Sequence, residues 1–234
     1  MSGAAPFPDG WPAQVRLALH AVADPQRAPA MRAYQRDQFP FFGIPAPARR
    51  AAVMPLLKPR QTAGELLANA RALWCMPERE CQYVAVDLLN RQQRTLGVGD
   101  LDALLGLVQD KSWWDTVDGL AGVVGDILFA ARRTDPAVTR HMDAALRHPN
   151  LWVRRVAMLH QLGWRQATDR ERLFGAALTL AGETDFFIRK AIGWALRDFA
   201  RSEPQAIVDF LNGPGSRLSS LSRREAGKHL SGVH

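Results

Sequence analysis

The sequence of 234 residues lacks the features that mark several large classes of protein. It has two cysteines, Cys75 and Cys81, which are too few for a disulfide framework. Its longest uncharged run, Gln38 to Ala48, has 11 residues and three prolines, whereas a transmembrane helix needs about 20 apolar residues. The first residues contain neither the basic segment nor the apolar stretch of a secretory signal. We therefore expect a soluble cytoplasmic protein with no membrane partner.

Signatures of metal, cofactor and nucleophilic chemistry are also missing. The six histidines show no metal-ligand spacing, and two cysteines cannot complete a four-ligand zinc site. There is no Gly-rich loop that could cradle a phosphate, and no Ser-His or Cys-His arrangement is evident. The sequence therefore predicts a protein that uses neither a metal ion nor a cofactor.

Positive charge is abundant, and arginine carries nearly all of it. Lys and Arg number 30 against 23 Asp and Glu, for a net charge of +7, yet only four of the cations are lysines. Arginine contacts phosphate through paired hydrogen bonds, so the surplus favours a polyanionic partner, although codon bias is an alternative explanation. Four doublets are spread along the chain: Arg49-Arg50, Arg132-Arg133, Arg154-Arg155 and Arg223-Arg224.

Apolar residues recur with helical spacing almost throughout. Leu66, Ala70, Leu73 and Trp74 are typical of the pattern, which follows i, i+3 and i+4 steps rather than the alternation of a strand. Breaks fall at proline or glycine, and no hairpin signal lies between alternating segments. The pattern predicts about a dozen helices and no sheet.

Four polar positions recur at a nearly constant interval. Gln82, Asp118, Arg155 and Lys190 follow similar breaks and are separated by 36, 37 and 35 residues. Such a step is typical of stacked helix pairs of the HEAT or armadillo class, in which equivalent positions line one face. This polar line predicts a binding surface; the alternative is that it is only the solvated side of amphipathic helices.

Tryptophans accompany the polar line. Trp114 precedes Asp118 by four residues and Trp194 follows Lys190 by four, so each shares a helix face with a polar position. Indole faces can stack on a sugar, a base or a cation. Asp118 is the one acid on the line, which argues against a carboxylate dyad but suits the stabilisation of a glycosyl oxocarbenium ion and the orientation of the attacking water.

Six motifs in chain order resemble those of one enzyme family. They are Met31–Tyr34, Phe41–Pro45, Leu73–Glu80, Lys111–Asp118 (KSWWDTVD), Ala191–Arg197 and Leu221–Ala226. From about Ala30 to about His229, the chain resembles the AlkD-type DNA alkylation-repair glycosylases. The resemblance implies an all-α, HEAT-like helical-repeat solenoid with a concave DNA-binding face. We expect a single domain over residues 11–234 after a flexible extension at 1–10, where the chain departs from the family.

The resemblance also implies an activity. A monofunctional glycosylase of this kind hydrolyses the N-glycosidic bond of N3- and N7-alkylated purines in duplex DNA, as a step of base excision repair. These lesions carry a positive charge and leave readily, so one carboxylate suffices without a general acid. The expected protein is a monomer that needs no cofactor and works at the nucleoid in the cytoplasm.

Roles carry over by position in the matched motifs. Asp118 is expected to be the catalytic carboxylate, and Trp114 and Trp194 are expected to pack against the deoxyribose. Arg155 is expected to hold the phosphate beside the lesion, and Tyr34 to lie near the DNA. Further phosphate contacts are expected from Lys190, Arg154, Arg223, Arg224 and Lys228.

Two other functions stay open from the sequence. Repeat folds are often binding platforms, so a non-catalytic HEAT-like scaffold for damaged or branched DNA, or for another protein, is the main alternative. A carboxylate where phosphates approach would repel them, which favours the enzyme. A lyase that also cuts the sugar backbone would need an amine nucleophile, and Lys190 is the one candidate on the polar line.

Overall fold

The structure is a computed structural model that describes residues 10–228 and Leu230. These residues form thirteen α-helices and five short 3-10 turns, with no β-strand in the described range. None of the described helices combines the length and apolar character needed to cross a bilayer. The predicted all-helical fold is confirmed, while the flexible extension predicted at 1–10 lies, apart from Gly10, outside the described residues.

The chain divides into two compact units, one ending at Leu96 and the other beginning at Gly97. The first unit contains α1 (Trp11–His20), α2 (Ala28–Tyr34), α3 (Ala46–Leu57), α4 (Ala63–Cys75) and α5 (Arg79–Gln92). The second contains α6 (Leu101–Gln109), α7 (Trp114–Ala131), α8 (His141–Ala145), α9 (Leu151–Leu159), α10 (Arg170–Thr179), α11 (Phe186–Ala200), α12 (Pro204–Asn212) and α13 (Ser220–Ala226). The single repeat domain expected over 11–234 stays a prediction.

Helix pairs build both units. In the first unit α4 packs on α5; in the second, α6 packs on α7, α8 on α9 and α10 on α11, and α9 also contacts α7 and α11. The second helices of these pairs begin at residues 79, 114, 151 and 186, close to the spacing that the polar positions predict. Gln82 is the fourth residue of its helix, and the other three polar residues of the line are each the fifth.

Polar side chains at the breaks explain why these helices begin where they do. The Asn150 carboxamide oxygen accepts the Trp152 amide at 2.8 Å, and the Asp185 carboxylate accepts the Phe187 amide at 2.7 Å. Such caps satisfy backbone donors that a helix leaves free in its first turn. The caps therefore fix the starts of α9 and α11, and with them the placement of the first-turn side chains.

A glycine lets α7 approach α9 closely. A Cβ built at Gly125 would lie 2.0 Å from the carbonyl oxygen of His160, where no side chain fits. The same two helices carry Asp118 and Arg155. Their close packing fixes the distance between these two side chains.

Candidate functional site

Asp118 and Arg155 form a two-point ion pair in the second unit. The Arg155 Nε donates to Asp118 Oδ1 at 2.7 Å, and Nη2 donates to Oδ2 at 2.9 Å. Paired, charge-assisted bonds of this kind fix both the position and the plane of the carboxylate. Asp118 is therefore held in one orientation before any ligand arrives.

Arg155 also connects a third helix to the pair. Its Nη1 donates to the backbone carbonyl of Phe187, in the first turn of α11. The Arg155 side chain is 5% exposed, whereas the Asp118 side chain keeps 17% of its surface open to solvent. The arginine is thus an internal clamp across α7, α9 and α11, and the carboxylate is the member of the pair that a ligand can reach.

The environment of Asp118 shifts its acidity in two directions. Burial raises the pKa of Asp118 above its ordinary value, and the charge of Asp115 adds to that shift. Hydrogen bonding and charge from Arg155 lower the pKa but do not cancel the effect of burial. Burial and the Arg155 cation therefore act on the pKa of Asp118 in opposite directions, and burial has the larger effect.

Three aromatic rings pack together at the beginnings of the same three helices. The Trp113 ring centroid lies 5.8 Å from that of Trp152 and 5.1 Å from that of Phe187, and the latter two are 5.0 Å apart. Tilted and edge-on contacts at these distances are favourable. This cluster is a packing element that supports the clamp.

Trp114 and Trp194 occupy less buried places in the second unit. Trp114 is the first residue of α7 and is half-buried, one turn before Asp118. Trp194 lies in α11 and is 36% exposed, one turn after Lys190. Both indoles therefore keep surface that a ligand can contact, and their role against deoxyribose stays a prediction.

Two cations that the sequence assigned to phosphate have acidic partners in the protein. Lys190 Nζ lies 3.0 Å from Glu225 Oε1 on α13, and Arg154 Nε lies 2.7 Å from Glu183 Oε1. Arg197 shares the same Glu225, and both bases lower the pKa of that carboxyl. The sequence analysis did not predict either glutamate as a partner. Each lies more than 25 residues from its cation along the chain, and local sequence patterns do not indicate contacts over that separation.

The other predicted DNA contacts lie on elements other than those that carry the ion pair. Arg223 and Arg224 lie in α13 and line a cavity of about 620 Å³, while Lys228 follows that helix and is exposed. Tyr34 ends α2 in the first unit and is 72% exposed. Each of these residues presents surface to solvent, and contact with DNA stays a prediction for all of them.

Gln82 is not a surface residue, which corrects the predicted polar line. It is fully buried, and its amide nitrogen donates to the carbonyls of Leu73, Trp74 and Met76 at 2.8–3.2 Å. These carbonyls lie at the end of α4, where a helix leaves acceptors unpaired. Gln82 therefore caps the preceding helix, a task that sequence spacing cannot distinguish from a place in a binding surface.

The family model described as DNA alkylation repair enzyme matches residues 15–230. The chain belongs to this family. A solved structure described as a predicted DNA alkylation repair enzyme from Enterococcus faecalis is similar, with 33% identity and a TM-score of 0.82 over 89% of this chain and 97% of that one. No curated protein matches this chain.

Family membership supports an enzyme of DNA repair that responds to alkylation damage and acts on DNA. The structural similarity extends the helical-repeat fold over most of the chain, which confirms the fold class expected from the repeat. The described residues contain no cluster of three or more potential metal ligands.

Proposed function

We propose that the chain is a monofunctional DNA glycosylase that excises N3- and N7-alkylated purines from duplex DNA. The observation that carries the proposal is the carboxylate of Asp118, fixed by two bonds from Arg155 and still partly exposed. A single oriented anion of this kind suits a reaction in which positive charge develops on the sugar and the leaving group needs no proton.

The proposed reaction has two parts. The bond between C1′ and the base nitrogen breaks first, and its electron pair leaves with the cationic base, which becomes neutral. The Asp118 carboxylate stabilises the oxocarbenium character that remains on the sugar. Water then adds to C1′ and loses its proton, so the products are a free base and an abasic site.

Other residues of the second unit have supporting roles in this proposal. Trp114 and Trp194 offer indole faces to the deoxyribose and to its developing charge. Arg155 acts through Asp118 as a positioning residue, and a contact from its remaining surface to phosphate belongs to the same proposal. The proposal also includes a concave binding face, a monomeric state and a cytoplasmic location. It includes contacts with DNA phosphates from six further residues: Lys190, Arg154, Arg223, Arg224, Lys228 and Tyr34.

Release of free base from a methylated duplex tests the activity. The intact protein is expected to release 3-methyladenine or 7-methylguanine from treated DNA and to leave the untreated duplex unchanged. The product strand should remain uncut until it is treated with alkali, because a monofunctional glycosylase leaves an abasic site. Base analysis and gel electrophoresis of the same reaction provide the two readouts.

Other outcomes separate the alternatives. Tight binding to methylated DNA without any base release would favour the non-catalytic scaffold and contradict the proposal. Strand cleavage without alkali, abolished by Lys190→Gln, would indicate a lyase instead.

A further inference from the structure

A basic cavity lies in the first unit, where α3 and α5 end. Its volume is about 610 Å³, and its lining contains Lys58, Arg60, Arg91 and Arg94, with no carboxylate. We call this cavity, with its four cations, the basic cavity. The remaining lining residues are polar and uncharged: Asn90, Gln92, Gln93 and Thr95.

The four cations are available to a ligand. All of them are exposed, and none of their side chains forms a hydrogen bond or ion pair with another residue in the described part of the chain. Two other exposed arginines of this unit are paired with acids: Arg27 lies 2.9 Å from Asp24, and Arg32 lies 2.9 Å from Asp37. The charge of the basic cavity is therefore not compensated by the protein's own acids.

Helix dipoles do not explain this concentration of charge. Cations are favourable at helix C-termini because each terminus carries roughly half a negative charge. The two helix ends at the cavity thus supply about one negative charge against four positive ones. An excess of about three positive charges remains, and holding it together without an anion is unfavourable.

One wall of the basic cavity is fixed in advance. Gln92 donates through Nε2 to the carbonyls of Leu57 and Pro59, at 3.3 and 2.9 Å, and its Oε1 accepts the Gln61 amide at 2.9 Å. The neutral Gln92 amide thus bonds the backbone carbonyls that follow α3, so the four cations are not needed for that task and can bind a ligand. The backbone that carries Lys58 and Arg60 is therefore positioned before a ligand binds.

The lining selects the class of ligand. It contains no aromatic or apolar side chain on which a base could stack, so it suits a phosphate group rather than a nucleotide base. Because the chain belongs to a family of DNA repair enzymes, phosphodiesters are the anions that it meets. We propose that the basic cavity binds phosphates of the DNA backbone, independently of base sequence and of damage.

This site is separate from the repeat positions. Arg91 follows Gln82 by nine residues, which places it about 14 Å further along α5. The inference rests on family membership and on the lining of the cavity, and does not depend on the glycosylase reaction. Binding of unmodified DNA therefore tests it even if base release is never observed.

The experiment measures binding of an unmodified duplex at several salt concentrations. The double variant Arg91→Gln/Arg94→Gln is compared with Arg27→Gln/Arg32→Gln, which removes two exposed cations of the same unit that are paired with acids. The first variant is expected to reduce the slope of log K against log salt by about one to two, since each lost phosphate contact contributes about 0.9. The control should change the slope by less than half as much.

A second pair and a small anion complete the test. Lys58→Gln/Arg60→Gln should reproduce the effect from the other wall of the cavity. An unchanged slope in both cavity variants, or an equal change in the control, would overturn the proposal. Loss of inorganic phosphate binding in the cavity variants with an unchanged DNA slope would also overturn it, by making the cavity a site for a free anion.

Discussion

Two acids in the first two turns of their helices, Glu80 in α5 and Asp118 in α7, have opposite surroundings. Glu80 is fully buried, and its carboxylate accepts the amides of Phe42, Gly43 and Ile44 at 2.9–3.0 Å. Asp118 keeps part of its surface exposed and is held by one side chain, Arg155. The first carboxylate is occupied by its own backbone, and the second retains capacity for a ligand.

The difference separates a structural acid from a functional one. A carboxylate whose oxygens are taken up by backbone amides fixes a loop and has little left to offer to a substrate. A carboxylate held by an arginine on one side can act on its other side. We therefore predict that substitution of Glu80 lowers the free energy of unfolding, whereas substitution of Asp118 lowers the rate of base release.

The largest effect on stability is expected from Glu80→Ala. Three backbone amides would lose a charged acceptor in a buried place, and we expect a loss of about 3–5 kcal/mol in the free energy of unfolding. Denaturant unfolding measures it. Glu65→Ala is the matched control, because Glu65 accepts the amide of Thr62 in an exposed capping box and should cost about 1 kcal/mol. Equal losses in the two variants would contradict the claim that Glu80 stabilises the fold more than an exposed capping glutamate does.

His160 extends the comparison to a buried base. Burial lowers the pKa of His160 from 6.5 to about 4, so the unfolded chain binds this proton more tightly than the folded protein does. The stability from this group is complete above pH 6.5 and is lost as the pH falls toward 4. His160→Phe should therefore reduce the loss of stability between pH 7 and pH 4.5 by about 2 kcal/mol.

The control for this pH effect is His141→Phe, because His141 is exposed. Unfolding free energies at pH 7 and pH 4.5 for the three proteins give the comparison. A wild-type pH dependence in His160→Phe would show that other groups cause the acid instability.

A smaller effect is expected from Arg155→Gln, and it appears as a shift in pH. Arg155 lowers the pKa of Asp118, so its loss should raise that pKa further and move the acid limb of the base-release profile to higher pH. Arg154→Gln removes the same charge one residue away, where the partner is Glu183, and should leave the limb in place. A merely structural role for Arg155 would reduce folded protein without moving the limb.

Arg155→Gln also tests the phosphate contact expected of Arg155, and here the wild-type protein is the reference because Arg154 is itself proposed to contact phosphate. If Arg155 meets phosphate, its loss should also weaken DNA binding and reduce the salt slope by about one. An unchanged slope with a shifted acid limb would restrict Arg155 to holding Asp118.

Much of this arrangement follows from local pattern. Helical periodicity and breaks at proline and glycine predict the helices, because local steric and capping preferences act over a few residues. The constant step between Asp118, Arg155 and Lys190 predicts the repeat, and the neighbouring tryptophans single out Asp118. The resemblance over six motifs predicts an AlkD-type glycosylase, and the comparison confirms the broader family of DNA alkylation repair enzymes.

What the pattern does not predict is the pairing. Arg155 and Asp118 are 37 residues apart in the sequence. No local sequence pattern shows that Arg155 donates two hydrogen bonds to the Asp118 carboxylate. Gln82 has the right interval for the polar line, yet it caps α4 from a buried place. Polarity at a repeated position is compatible with solvent, with a ligand or with an unpaired backbone group, and tertiary packing decides among them.

Single-turnover base release by Asp118→Asn tests the central claim most directly. With enzyme in excess over methylated duplex, we expect the rate to fall by about 100-fold or more while DNA binding persists, because a carboxylate that stabilises developing charge contributes on that scale. Asp126→Asn, an exposed change on the same helix with the same charge difference, should release base at the wild-type rate. Release by Asp118→Asn at the wild-type rate would contradict the account.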